Sequence, residues 1–156
     1  MARFKVTTES AAALAAAPTT FGNLVAGASA NYKLRRIIIG VRAGASVPTS
    51  QQVTVGIARA TARGTQTGNS AGIPMDPRSG ASVITGLDFT WSGNPTVSAN
   101  FLAKPTINTQ SAMDVPWEFQ EELICDQGTA NGIAVQNVGN ALPASHLYVL
   151  SFEWEE

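Results

Sequence analysis

The feature that most constrains the fold is a series of short segments in which apolar and polar residues alternate. The clearest is residues 146–156, where one face carries His146, Tyr148, Leu150, Phe152 and Trp154. A period of two is typical of a strand with one buried face. Turn signals, including Asn131 followed by Gly132, separate the segments, and no amphipathic helix pattern is present. The chain is therefore predicted to be all-β, an antiparallel sandwich of about eight strands.

The 156 residues are enough for one domain with its own core. Residues 10–31 are rich in Ala, Gly, Thr and Ser, and the Ala-rich run at 11–17 is too short to cross a membrane. Residues 1–31 are therefore interpreted as an extended N-terminal arm with a low-complexity loop, and residues 32–156 as the sandwich domain. No hydrophobic signal core begins the chain, which indicates a soluble protein made in the cytoplasm. No membrane partner is expected.

Two observations predict that part of the exterior is covered by other protein. Charged residues make up 13% of the chain, against about 25% in typical domains. The run Ile37, Ile38 and Ile39 places apolar groups on both faces of the predicted strand Tyr32–Ala43. A partner subunit would cover the outer face, so Ile37 and Ile39 are candidate partner-binding residues.

Charge is divided unevenly along the chain. Residues 1–104 hold all ten basic and three acidic residues, a net charge of +7, and residues 105–156 hold eight acidic residues, a net charge of −8. One interpretation is a nucleic-acid-binding patch. The preferred one is that N-terminal and C-terminal strands are neighbours whose charges pair across a sheet, since no basic run exceeds two residues. No nucleic-acid partner is predicted.

The residues offer little catalytic chemistry. His146 is the one histidine, so a Ser-His-Asp triad has one possible base. The carboxylates Glu118, Glu122, Glu153, Glu155 and Glu156 are better explained as solvated groups or cross-strand partners of Arg35, Arg36 and Arg42. We expect no catalytic site and no enzyme activity.

Ligand and metal sites are equally poorly supported. One histidine and one cysteine, Cys125, cannot form a zinc site, and Cys125 is predicted to be a small buried residue. No glycine-rich phosphate loop is present. No metal, cofactor or small-molecule substrate is expected, and Trp91 is the one aromatic residue considered as a ligand platform.

Several segments together resemble a known family. They are YKLRRIIIGVRA (32–43), QQVTVGIARATARGT (51–65), the Met-Asp-Pro-Arg loop (75–78), ANGIAVQNVGN (130–140) and HLYVLSFEWEE (146–156). This pattern, over about residues 30–156, resembles the jelly-roll capsid decoration (cement) proteins of tailed bacteriophages. The resemblance implies a jelly-roll trimer on the threefold and quasi-threefold positions of the shell of major capsid protein. It also implies a place on the outer surface of the virion, with no catalytic residues and no cofactor.

In such proteins the N-terminal arm contacts the shell, which implies a contact surface at residues 2–8. Arg3, Phe4, Lys5 and Val6 are the candidate partner-binding residues there. Two alternatives remain open. One is a carbohydrate- or receptor-binding jelly roll of a phage fibre or tail tip, and the other is a small hydrolase that uses His146.

Overall fold

The computed structural model describes residues 1–10, 19–43, 49–118, 120–143 and 145–156. These residues form strands and no helix, which confirms the all-β prediction. The strands are β1 (Arg3–Glu9), β2 (Thr19–Val25), β3 (Tyr32–Ala43), β4 (Gln52–Ala62), β5 (Thr65–Ser70), β6 (Ile73–Pro74), β7 (Gly86–Gly93), β8 (Thr96–Ala103), β9 (Thr106–Asn108), β10 (Ala112–Pro116), β11 (Leu123–Cys125), β12 (Gly132–Asn137) and β13 (His146–Glu155).

The strands form two antiparallel sheets that pack as a sandwich. Sheet A has the order β10-β3-β13-β1-β6, with β11 also paired to β3. Sheet B has the order β5-β7-β2-β12-β4-β8, with β9 also paired to β4. Both sheets contribute alternate residues to one hydrophobic core, as expected for two amphipathic sheets that bury their apolar faces against each other.

The aromatic stripe predicted on the last strand lies in this core. Tyr148, Leu150, Phe152 and Trp154 are all fully buried. Tyr148 stacks on Phe21 of sheet B, with ring centroids 4.0 Å apart and an interplanar angle of 8°. Since aromatic pairs add to the free energy of apolar burial, this contact helps to hold the two sheets together. Cys125 is also buried, as predicted.

The interpretation of residues 1–31 as an arm is wrong for the two segments that the structure describes as strands. β1 pairs with β13 along its whole length, from Arg3 opposite Glu155 to Glu9 opposite Val149. Phe4 and Val6 are buried in the core, because their alternation matches that of β13. β2 lies inside sheet B between β7 and β12. The Ala-rich run at 11–17 lies outside the described residues.

The prediction that a partner subunit covers apolar residues of Tyr32–Ala43 is also wrong for Ile37 and Ile39. Both side chains are fully buried in the chain's own core. Ile38 is on the outer face of sheet A, where it is half-buried between Ser151 and Asp114 of the neighbouring strands. The chain's own core therefore buries two of the three isoleucine side chains.

The described residues contain thirteen strands where about eight were predicted. Part of the excess comes from residues 61–80, which include β5 and β6. The Gly, Pro, Asn and Ser content of this segment predicts a long loop. β5 is polar throughout and pairs with β7 through backbone hydrogen bonds, so apolar alternation gives no signal for it. Other additional strands, such as β9 and β11, have only three residues each.

A two-stranded ribbon crosses the outer face of sheet B. β4 continues into β5 after Arg63 and Gly64, and β7 continues into β8 after Asn94 and Pro95. β4 pairs with β8 at one edge of the sheet, whereas β5 pairs with β7 at the other. The connected strands must therefore pass over the sheet between its two edges. Gly64 makes the turn with a φ of +76°, where a side chain is strained.

Candidate interaction surfaces

The outer face of sheet A carries a ladder of ion pairs that joins the two ends of the chain. The Nζ atom of Lys5 lies 3.2 Å from Oε1 of Glu153. Arg3 donates to Glu155 at 2.8 Å, and Arg35 donates to the second oxygen of Glu155 at 2.7 Å. These contacts confirm that N-terminal bases pair with C-terminal acids in one sheet, so these residues do not form a separate basic patch.

Three further ion pairs involve this face, and one of them joins Arg35 to Glu122. Arg36 makes a bidentate contact with Asp114, and Arg42 makes one with Glu9. The partners of Arg36 and Arg42 are therefore not the C-terminal glutamates that the sequence suggested.

The arginines also control the ionisation of their carboxylate partners. A hydrogen bond from Arg35, with a further contribution from Arg3, lowers the pKa of Glu155 although burial opposes this effect. Arg36 similarly lowers the pKa of Asp114. Both carboxylates are thus held in the ionised form and are engaged within the fold.

The outer face of sheet B contains a buried ion pair under the ribbon. Asp88 is fully buried and accepts hydrogen bonds from Arg63 Nε at 2.7 Å, Arg63 Nη2 at 2.9 Å and Asn69 Nδ2 at 2.8 Å. Asn23, opposite Asp88 on β2, is also fully buried. Arg63 immediately follows β4, so its contact with β7 fixes the ribbon over the sheet.

His146 occupies a structural position at the start of β13. Its side chain is buried, and its Nε2 accepts a hydrogen bond of 3.3 Å from the backbone N–H of Thr49. Within the described ranges, no three His, Cys, Asp or Glu residues lie close enough together to hold a metal ion.

Two tryptophans, Trp91 and Trp117, are candidate ligand-binding positions in the structure, and a small cleft lies beside one of them. Trp91 is half-buried, and its Nε1 is buried without a hydrogen-bond partner in the described part of the chain. A cleft of about 280 Å³ lies instead beside Trp117, with Arg3, Arg35, Glu118 and Glu153 among its lining residues. The alternation of Trp117 with Val115 and Phe119 in the sequence predicts a core-facing position, and Trp117 is partly buried and packs against the core.

Apolar side chains are exposed at the edge of sheet A beside β1. Ile73 is 69% exposed and Met75 is 53% exposed. With Pro74 they form what we call the edge patch, which borders a groove of about 350 Å³ whose other walls are Lys5, Val6 and Thr7. No apolar alternation indicates this patch, because its residues lie within 61–80, a segment whose composition predicts a loop.

A second group is exposed at the edge of sheet B. Phe101 is 36% exposed and Leu102 is 39% exposed, and we call these two residues the β8 patch. The alternation of residues 96–104 in the sequence places Phe101 on one face with Val97, Ala99 and Ala103, which predicts a shared buried face. The register between β4 and β8 shifts at this point, because Ala103 lies opposite Ile57 and Phe101 lies opposite Ala58. This bulge turns the side chains out of the expected alternation.

The predicted partner-binding residues fall into two groups. Phe4, Val6, Ile37 and Ile39 are buried inside the sandwich and form no outer surface in this structure. Arg3 and Lys5 point outward, where they pair with Glu155 and Glu153.

Comparison with known proteins identifies no relative of this chain. No protein-family model matches it, and neither curated proteins nor solved structures gave a significant match. Among the described residues, no helix is long and apolar enough to span a bilayer. In the part of the chain that the structure describes, exposed apolar side chains and the Trp117 cleft are surface features that could bind a partner or ligand.

Proposed function

We propose that the protein is a non-enzymatic structural component of a bacteriophage virion. As a homotrimer it would bind the major capsid protein at threefold and quasi-threefold positions on the outer surface of the head. The observation that carries this proposal is the division of the surface: most described ion pairs lie on the outer face of sheet A, whereas large apolar side chains are exposed at the sheet edges. Exposed apolar patches of this kind are typical of protein–protein interfaces.

We also propose the jelly-roll topology for the sandwich. A jelly roll is a long antiparallel hairpin wrapped into two sheets, so its first strand pairs with its last, its second with its second-to-last, and so on inward. The pairs β1–β13, β2–β12, β3–β10 and β4–β8 follow this nested order. On this assignment β5, β6 and β7 are an insertion between the fourth and fifth strands of the jelly roll.

The mechanism of such a protein is thermodynamic. A protein that binds the assembled shell and not its free subunits stabilises the shell by mass action. A trimer that contacts several capsid subunits at once also gains from multivalency, so each contact can be weak.

Co-sedimentation with shells assembled from the major capsid protein of the same phage tests this proposal. We expect saturable binding in multiples of three copies and a higher temperature of shell disruption. Bovine serum albumin serves as the non-binding control. A chain that stays in the supernatant at all concentrations contradicts the proposal.

The Trp117 cleft supports one alternative, a carbohydrate-binding domain of a phage fibre or tail tip. Aromatic rings beside charged hydrogen-bonding groups are suited to bind sugars, since the ring packs on the apolar face of the sugar. Glycan-array binding that is lost in Trp117→Ala and retained in Trp91→Ala would favour this alternative over the capsid role.

A further inference from the structure

Residues 71–83 cross one edge of sheet A between β5 and β7, and we call this segment the strap. It contains β6, which pairs with β1 at Phe4 and Lys5. Next to β6, the backbone N–H of Met75 donates to the carbonyl oxygen of Arg3 at 2.8 Å. The strap is therefore the last element of sheet A on this side.

The side chain of Glu156 holds the other end of the strap. Its Oε2 accepts a hydrogen bond of 2.8 Å from the backbone N–H of Val83, and its Oε1 accepts one from the hydroxyl group of Ser82. The same Oε1 accepts a hydrogen bond of 2.8 Å from Nε1 of Trp154. Because hydrogen bonds to a charged acceptor are roughly twice as strong as neutral ones, Glu156 is suited to fasten the strap.

The strap contributes little to the core. None of its residues is buried, including those with large apolar side chains. Its closest approach to the core is at Gly72, where a Cβ would clash with the indole ring of the fully buried Trp154. Segments with few buried apolar contacts open locally at a lower free energy than the core does.

Opening of the strap would uncover backbone groups of β1. Ala2 exchanges two backbone hydrogen bonds with Glu156, and the N–H of Ser10 donates to the carbonyl oxygen of Tyr148. Since the direction of these groups alternates along a strand, the even-numbered residues of β1 face β13 and the odd-numbered ones, such as Thr7, face away. A sheet edge uncovered in this way is a template for pairing with another strand.

The closed strap is a poor template because of Pro74. This residue lies opposite Phe4, an even-numbered residue of β1, so its own backbone groups point away from β1. Proline has no N–H, so the strap offers a further strand no donor at this position. Very short edge strands and prolines at edges are common ways to prevent edge-to-edge pairing.

We propose that the strap is a guard of the sheet A edge that the Glu156 side chain fastens in its closed position. It opens as a unit while the rest of the sandwich stays folded, and when closed it prevents another strand from pairing with β1. The inference is independent of the capsid role, because it concerns the free protein.

Amide hydrogen exchange measured by NMR tests the opening. In Glu156→Ala the amide of Val83 loses its acceptor, whereas the amide of Met75 keeps Arg3. If the strap opens as a unit, exchange at Met75 should nevertheless accelerate at least about tenfold, as expected from the loss of a hydrogen bond to a charged group. Exchange at Val135, in the central strand β12, should not change.

Two outcomes of this measurement overturn the inference. Acceleration at Val83 alone means that the strap does not open as a unit, and equal acceleration at Val135 means that the opening is global. Glu9→Ala is the control, because the Glu9 carboxylate is bonded to Arg42 and not to the strap. Exchange at Met75 should be the same in this variant as in wild type.

Gly72→Ala opens the strap by an independent route, because the added Cβ clashes with Trp154 while every hydrogen-bonding group is kept. Gly80→Ala is its matched control within the strap, since a Cβ at Gly80 meets nothing within 4 Å. Exchange at Met75 should accelerate in Gly72→Ala only. Equal exchange rates in the two variants overturn the inference.

Sedimentation velocity tests the guard itself. Gly72→Ala is expected to form species larger than those of wild type as its concentration rises, and Gly80→Ala is not. Adding Thr7→Pro to Gly72→Ala removes an outward N–H of β1 and should abolish the larger species, with far-UV circular dichroism as the check of folding. Larger species that persist indicate association through the uncovered Trp154 and contradict the guard. A Gly72→Ala variant that opens but sediments as wild type contradicts it as well.

Discussion

The ion pairs on the outer faces of the two sheets differ in how far they are exposed to water. On sheet A, ion pairs extend across β1, β13, β3 and β10, and most of their side chains are in contact with water, whereas Arg35, Glu122 and Glu155 are only 17%, 6% and 7% exposed. On sheet B, the pair Arg63–Asp88 lies under the ribbon, and the Asp88 side chain is fully buried. The same kind of contact should therefore have a small energetic effect on one sheet and a large one on the other.

The reason for the difference is desolvation. An exposed ion pair contributes about 0–1 kcal/mol, because water already solvates both charges and salt screens them. A buried pair is not strong evidence for net stability, but removal of one partner leaves a charge without water or counter-charge, at a cost of about 3–5 kcal/mol. Four substitutions test this difference between the two sheets.

The largest effect is expected for Arg63→Met. The substitution leaves the buried Asp88 carboxylate with only Asn69 as a side-chain partner among the described contacts, so the free energy of unfolding should fall by about 3–5 kcal/mol. Urea denaturation monitored by tryptophan fluorescence measures the change. Arg36→Met is the matched control, since Arg36 and Asp114 are 41% and 43% exposed. Equal reductions in the free energy of unfolding of the two variants would contradict the predicted difference between the two sheets.

The turn of the ribbon should be the next most sensitive position. In Gly64→Ala the new Cβ would lie 2.5 Å from the carbonyl oxygen of Gly93, at a φ of +76°. Strain of this kind should reduce the free energy of unfolding by about 1–3 kcal/mol. Gly80→Ala provides the control, because a Cβ at Gly80 meets nothing within 4 Å. Thermal melting of both variants measures the difference, and a Gly64→Ala variant as stable as Gly80→Ala refutes it.

Glu155 should make the stability of sheet A dependent on pH. Because Arg35 and Arg3 lower its pKa in the fold, its contribution is complete above its unfolded pKa of about 4.3 and is lost as the pH falls through the folded value. Glu155→Gln should therefore reduce the free energy of unfolding by about 1.5–2 kcal/mol at pH 7.

This difference from wild type should narrow progressively below pH 4, which denaturation curves at a series of pH values measure. A difference that stays constant down to pH 2 means that the Glu155 charge is not responsible.

The smallest effect is expected for Arg42→Met. Arg42 and Glu9 are 51% and 46% exposed, so the loss should be less than about 1 kcal/mol at low salt. In 1 M NaCl, where the screening length is about 3 Å, the loss should become undetectable. Urea denaturation at both salt concentrations checks this. A loss that persists in 1 M NaCl would indicate packing by the arginine stem.

The sequence predicted those parts of the fold in which burial alternates along a strand. The core face of β13 was predicted correctly, because large apolar side chains occupy alternate positions of this strand and are buried. The pairing of N-terminal bases with C-terminal acids was also predicted from the charge distribution alone. Apolar alternation and the distribution of charge can both be read from the sequence, without knowing which strands are neighbours in the fold.

Other features depend on the topology and could not be predicted in this way. β5 contains only polar or glycine residues, and it is a strand because β7 supplies backbone partners. Phe101 follows an alternating pattern, but the bulge in β8 moves it from the core to the surface. Ile37 and Ile39 suggested an external cover, whereas sheet B provides that cover from within the same chain. The candidate patches at Ile73, Met75 and Leu102 were missed for the same reason.

The contact between β1 and β13 has a consequence for how the protein is made. Phe4 is opposite Trp154, and Val6 is opposite Phe152, so residues about 150 positions apart complete one ladder. Pairing of strands so far apart in sequence costs a large amount of chain entropy before the contacts that offset this cost can form. Folds of this kind therefore form slowly. The ribosome synthesises Phe152 and Trp154 after β1–β12, so the N-terminal strand has to wait for them before sheet A can be completed. Shortening the chain by one strand at either terminus should thus leave the other terminus without its neighbour.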